Sequence, residues 1–95
     1  MSDQPTEVRH ESVQSRFAIF YGDNLAGFAE YVESDGVRDF NHTVVLEDYR
    51  GRGLSKPLIR EALDATREEG LKVKPSCSAV AKFIEKNPEY AELKA

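Results

Sequence analysis

The chain holds one cysteine, no apolar run of membrane-spanning length and no excess of positive charge. A lone cysteine cannot make an intrachain disulfide, so a reducing, cytoplasmic setting is expected. A membrane helix needs roughly 18 consecutive apolar residues, and nothing here approaches that, so no membrane partner is expected. The start, MSDQPTEVRHE, is acidic and polar. It does not have the basic-then-apolar order of a secretory signal. Thirteen Lys and Arg face 17 Asp and Glu, a net charge of −4. Phosphate backbones reward net positive charge, so nucleic acid is not the expected partner. One cysteine and two dispersed histidines give no metal-ligand constellation.

What is present fits one small domain. Ninety-five residues, 40% of them hydrophobic, lie near the lower end of what folds without staples. Residues 1–5 read as a flexible tail and 6–95 as a single domain. RFAIFY (16–21) is aromatic and β-branched, and GDN after it is turn chemistry. LAGFAEYVE (25–33) places Phe28, Glu30 and Val32 on one face, and Ala29, Tyr31 and Glu33 on the other. SDG turns the chain into VRDFNHTVVL (37–46), whose apolar end reads as a strand buried on both faces. A short extra strand fits near Glu7–Glu11.

The period then changes. Leu54, Leu58, Ala62 and Thr66 fall four apart, flanked by Ile59 and Leu63, which predicts a helix over 54–69. Gly70 is its stop. LKVK (71–74) is a short strand, so a parallel βαβ crossover joins it to 40–46. SAVAKFIEKN (78–87) is a second helix, with Val80, Phe83 and Ile84 inward, ending before Pro88. Asn87-Pro88 caps a last short turn. The predicted class is α+β: antiparallel strands, a βαβ crossover and a C-terminal helix.

DYRGRGLSK (48–56) sits between the apolar strand and the first helix. The first amides of a helix have no internal partners and carry partial positive charge. Gly51 and Gly53 let the backbone turn and approach a ligand closely. Arg50, Arg52 and Lys56 add full charges. These parts suit a phosphate or pyrophosphate. The dipole alone is worth about 0.3–1 kcal/mol for an exposed anion, so backbone hydrogen bonds and side-chain charge must supply the rest. Two familiar phosphate loops do not match. No Gly-Lys-Ser/Thr ending follows four residues after a glycine, and Lys56 takes the third glycine position of the dinucleotide pattern.

Arg50-Gly51-Arg52-Gly53-Leu54-Ser55 resembles the Gln/Arg-x-x-Gly-x-Gly/Ala signature of the GNAT acetyltransferases, with Ser55 at the last site. The stretch from Asn41 to Tyr90, with its His-Thr-x-Val strand, glycine loop, Pro-x-Cys segment and Asn-Pro-x-Tyr ending, is similar to the short single-domain, YidJ-like members of that family. The resemblance covers residues 6–93. It implies a compact GNAT fold, acetyl-CoA as cofactor and an amine as acceptor. It also implies a pantetheine arm along Val44, Val45 and Leu46, and a pyrophosphate on the amides of Arg50, Gly51, Arg52, Gly53, Leu54 and Ser55, with Lys56 beside them. Larger members insert one or two helices after their first strand. Here only a few residues separate any first strand from RFAIFY, so an acceptor pocket must be shallow or shared with a partner. Pro57 falls in the helix's first turn, where its missing N–H costs nothing.

Acetyl transfer needs a deprotonated acceptor and a protonated leaving thiolate. Many GNAT enzymes take a base from the strand before the loop, but NHTVVL holds no carboxylate. Three routes stay open: Cys77 as thiolate base or acetyl carrier, His42 through water, or no residue base. Cys77 just before a helix could have a lowered pKa; its bland reading is a small buried hydrophobe. His42 shares a strand face with Phe40 and Val44, which reads as a packed, hydrogen-bonded histidine. Tyr90 reads as packing of the last turn and Arg60 as a surface charge. His10, in a polar segment, carries no signal. The expected function is acetyl-CoA-dependent transfer to an amine, by a monomer or weak dimer. The alternative is a non-catalytic acyl-CoA-binding or partner-binding module.

Overall fold

The structure, a computed structural model, describes residues 5–95. Five strands form one sheet in the order β1-β2-β3-β4-β5. They are β1 (Thr6–Glu11), β2 (Arg16–Tyr21), β3 (Asn24–Ser34), β4 (Val37–Val45) and β5 (Lys72–Lys74). The first three pairings are antiparallel and β4–β5 is parallel. Helix α1 (Ser55–Glu68) links β4 to β5, and α2 (Ser78–Lys86) follows. Among the described residues no helix is long and apolar enough to cross a membrane. The expected tail over 1–5 lies, Pro5 apart, outside the described residues. Pro5 itself accepts a hydrogen bond from the Gly22 amide at 2.8 Å.

The sequence periods produce one core. Leu54, at the N-cap of α1, and Leu58, Ile59, Ala62 and Leu63 within it meet Phe17, Ile19, Ala29, Tyr31, Phe40 and Val73 of the sheet. Val80, Phe83, Ile84, Tyr90 and Leu93 complete the same cluster. Both helices therefore cover one sheet face. Phe20, Phe28 and Val32 alternate with core residues and stand on the other. Arg9 and Arg16 lie over the rings of Phe20 and Phe28, at 4.5 and 5.2 Å.

The expected β4 needs two corrections. Its end is not buried on both faces: Thr43, Val44 and Val45 are half-buried and Leu46 is 36% exposed. Only one face of the sheet has a helical layer, and β5 stops before it reaches these residues. His42 is not packed with Phe40 either. The register steps from Tyr31↔Phe40 to Glu30↔His42, so Asn41 is an extra residue on β4. A bulge of this kind reverses the alternation. Phe40 is buried while His42 is exposed, 6.4 Å from the Phe28 ring between centroids.

Two features were not expected. Arg38 of β4 is 1% exposed. Its guanidinium donates to Glu33 and Glu69 at 2.8 Å each, and to the Thr66 hydroxyl at 3.2 Å. Full pairing is what makes so buried a charge tolerable. His10 joins this cluster: it stacks on Phe17 at 4.1 Å and shares a 2.6 Å hydrogen bond with the Tyr31 hydroxyl. Burial, then the Arg38 charge, hold its pKa below the ordinary 6.5, against Glu69 and Glu33. Folding thus favours neutral His10, and its share of stability is lost as pH falls through that folded value. The second feature is how the chain ends beyond the short turn that was expected at Asn87-Pro88. Residues 88–93 form a 3₁₀ segment, after which the Ala95 amide bonds the Val73 carbonyl at 2.9 Å.

Candidate functional site

The two parallel strands form a fork. They pair from Val37↔Lys72 only to Asp39↔Lys74. The Cys77 amide then donates to the Phe40 carbonyl at 2.8 Å, and the chain turns into α2. Residues 41–45 of β4 continue alone along that edge. The Leu46 amide bonds the Ala26 carbonyl of β3 at 2.8 Å. Peptide groups alternate along a strand, so Thr43 and Val45 direct theirs away from β3, into the fork. Gly27 of β3 lets β4 lie close here: a Cβ on it would stand 2.5 Å from the Val44 carbonyl oxygen. Any side chain at 27 would push the open strand out of place. No single-strand pattern hints at this, because the contact is between strands.

The glycine loop closes the other end of the fork. Gly51 and Gly53 have φ of +83° and +71°, and a Cβ on either would meet nothing within 4 Å. Both therefore face open space in a conformation that disfavours side chains. Among the described residues, the amides of 51–56 have no backbone acceptor. Arg50 departs from expectation. Its amide donates to the Glu47 carbonyl at 3.3 Å and its side chain to the Val45 carbonyl at 3.2 Å. It braces the loop against β4, leaving residues 51–56 as the free amides. Arg52 lies 4.9 Å over the Tyr21 ring, and Leu54 is buried in the core. Ser55 and Lys56 line a cavity of about 190 Å³ with Ile59, Ala79, Lys82, Phe83 and Lys86. Lys82 and Lys86, four apart on α2, were visible in the sequence. Their convergence with Lys56 required the packing of α2 on α1.

Cys77 sits at the vertex of the fork, half-buried, with Sγ 3.4 Å from Oγ1 of Thr43. Burial pushes its pKa up. The Thr43 hydroxyl and the amides of Ala79, Val80 and Thr43 outweigh that, and the net direction is down. The neutral thiol is a poor acceptor and makes no cap bond to α2, whereas a thiolate at this helix start is a strong one. His42 is on β4 but exposed on the sheet face away from the helices. Its surroundings predict that His42→Gln moves the melting temperature little, within about 0.5 kcal/mol for a surface site. A thermal scan checks this, and a large loss of stability would contradict it. Tyr90 packs as expected: it is buried against Phe83 and donates to Asp64 at 2.8 Å. Arg60 is exposed, as expected.

Known proteins resemble this chain in sequence and fold. Residues 16–93 match the family model of the GCN5-related N-acetyl-transferases. The chain is 34% identical over 93 residues to Protein NATD1 of Gallus gallus, covering 93% of this chain and 84% of that protein. It is 37% identical over 90 residues to Protein NATD1 of Danio rerio, covering 90% and 81%. A solution structure of a GCN5-like protein from Staphylococcus aureus superposes with a TM-score of 0.71 at 25% identity, over 94% of this chain and 87% of that one. Family model, relatives and overall fold agree: the chain belongs to the GCN5-related N-acetyl-transferase family.

Proposed function

We propose that the chain transfers an acetyl group from acetyl-CoA to an amine. The observation that carries this is the conjunction of an open β4 edge with the unbonded amides of 51–56. One offers strand-like hydrogen bonds to an amide-bearing arm, and the other an anion cradle at a helix start. Thr43 and Val45 would hold the pantetheine, and Val44 and Leu46 its apolar side. Gly51 to Lys56 would hold the pyrophosphate. Lys56, Lys82 and Lys86 would meet the 3′-phosphate, with Phe83 and Ile59 beside the adenosine. When bound, acetyl-CoA supplies an activated acyl group. The chain's own part is to fix its position, hold back water and manage protons at Cys77. The sole cysteine is a free thiol, which suits a reducing compartment such as the cytoplasm and a monomer or weak dimer.

Titration calorimetry tests the site. Acetyl-CoA is expected to bind and dephospho-CoA to bind at least about tenfold less tightly, since several charge-assisted hydrogen bonds are lost. The double variant Lys82→Ala/Lys86→Ala removes that preference. Equal affinity for the two coenzymes in the parent would place the phosphate elsewhere. One observation favours a second reading: only the short turn Ser12–Gln14 lies between β1 and β2, so no helix walls an acceptor pocket there. A module that binds acyl-CoA without transferring it would have this shape. Acetyl-CoA turnover with a panel of amines separates the two.

A further inference from the structure

The two arginines of the glycine loop are tied to opposite neighbours. Arg50 donates to the Val45 carbonyl of β4. Arg52 reaches the other way, to β2. Its guanidinium lies 4.9 Å from the centroid of the Tyr21 ring and donates to the Tyr21 hydroxyl at 3.3 Å. Tyr21 is the last residue of β2, half-buried and packed against the core. Tyr49 ends the 3₁₀ turn Glu47–Tyr49 that leads into the loop, and its ring lies 5.6 Å from that of Tyr21. Tyr21 therefore touches both the turn that enters the loop and the residue between its two glycines. Residues 51–53 are themselves exposed, so these side-chain ties are what holds them in one shape.

We propose that Tyr21 is a positioning residue for the coenzyme loop: it clamps Arg52, so that the free amides of 51–56 are gathered before a phosphate arrives. The inference goes beyond the acetyl-transfer reading but rests on its coenzyme loop. Two glycines leave the backbone many conformations to lose. A loop that holds its binding shape in only a fraction of molecules binds more weakly by that fraction. One exposed cation–π contact with one hydrogen bond biases such an equilibrium by roughly five- to tenfold. Arg52 then serves the site through the shape of the loop. Its charge stays on the Tyr21 ring, and the phosphates are met by backbone amides and by Lys56, Lys82 and Lys86.

The test is a double-mutant cycle on CoA affinity, measured by calorimetry on the full chain. Tyr21→Leu keeps apolar bulk but loses the ring face and the hydroxyl, and Arg52→Gln loses the cation. Each is expected to weaken CoA binding about fivefold, and the pair together no more than either alone, because both break one contact. Tyr21→Phe keeps the ring and is expected to stay within about threefold of the parent. A companion measurement needs no coenzyme: the heteronuclear NOE of amides 51–53 is expected to fall in Tyr21→Leu and in Arg52→Gln. A parent that does not bind CoA would sink the coenzyme reading, while the NOE would still read the clamp. Three results overturn the proposal. CoA affinity kept or raised in Tyr21→Leu would mean that the ring only holds Arg52 back from the phosphate. Additive losses in the pair would make Arg52 a phosphate ligand in its own right. An unchanged loop NOE in both variants would mean that the loop keeps its shape without the clamp.

Discussion

Cys77→Ser will lower acetyl transfer by at least about 10²-fold, the low end for losing a general base, while CoA affinity is kept. The thiol lies at the vertex of the fork, where Thr43 and the start of α2 pull its pKa down. The sign is testable without substrate. A lowered pKa raises the thiolate fraction at any given pH, so alkylation of Cys77 should outpace a free cysteine's and fall away at a lower pH. Acetyl-CoA should protect the thiol by occupying the fork. Serine keeps the size and a hydrogen bond to Thr43 but loses the acidic group. If it transfers as fast as the parent, the thiol is structural and solvent carries the proton. The two chemical roles also separate. As carrier, the thiolate attacks the acetyl carbonyl, an S–C bond forms and CoA thiolate leaves. An added amine then takes the acetyl group. An acetyl mass on Cys77 that an amine removes supports this route over the base route.

Gly53→Val will abolish measurable CoA binding, a loss of more than about 10²-fold, in a chain that still folds. Two effects combine. The side chain would enter the open space through which a phosphate reaches the amides of 51–56. In addition, φ of +71° is hostile to a β-branched residue. That strain is of order 1–3 kcal/mol, so the melting temperature should drop by several degrees or more. Gly36→Val controls for this. Gly36 has φ of +78° and equally open surroundings, but sits in the β3–β4 turn. It should lose similar stability and keep its affinity. A folded Gly53→Val that binds like the parent would remove the loop from the site.

The sequence made legible whatever depends on local period and turn chemistry. The helix stripe of Leu58, Ala62 and Leu63, the run RFAIFY and the loop at 50–55 all emerged where expected, and the loop's motif carried the family. What stayed hidden depends on contacts between strands. One extra residue at Asn41 turned His42 from an expected packed position to an exposed one. No single-strand pattern shows a bulge, because it is defined by the partner's register. Nothing in the sequence sets Gly27 apart, and only the strand pairing puts the Val44 carbonyl against it. His10 lies in a polar segment and Arg38 in the run VRDFNHTVVL, and only the fold brings Glu33, Glu69 and Tyr31 around them. The apolar end of β4 reads as doubly buried because an open sheet edge and a core strand look alike in sequence. Both are continuous apolar runs.

The most direct measurement is an amide NMR titration of the parent chain with acetyl-CoA. The largest shifts are expected on Thr43, Val45 and residues 51–56, with Lys82 and Lys86 following and the amides of β1 and β2 little changed. Shifts gathered instead on the face of Phe20, Phe28 and Val32, or no saturable shift at all, would contradict this placement.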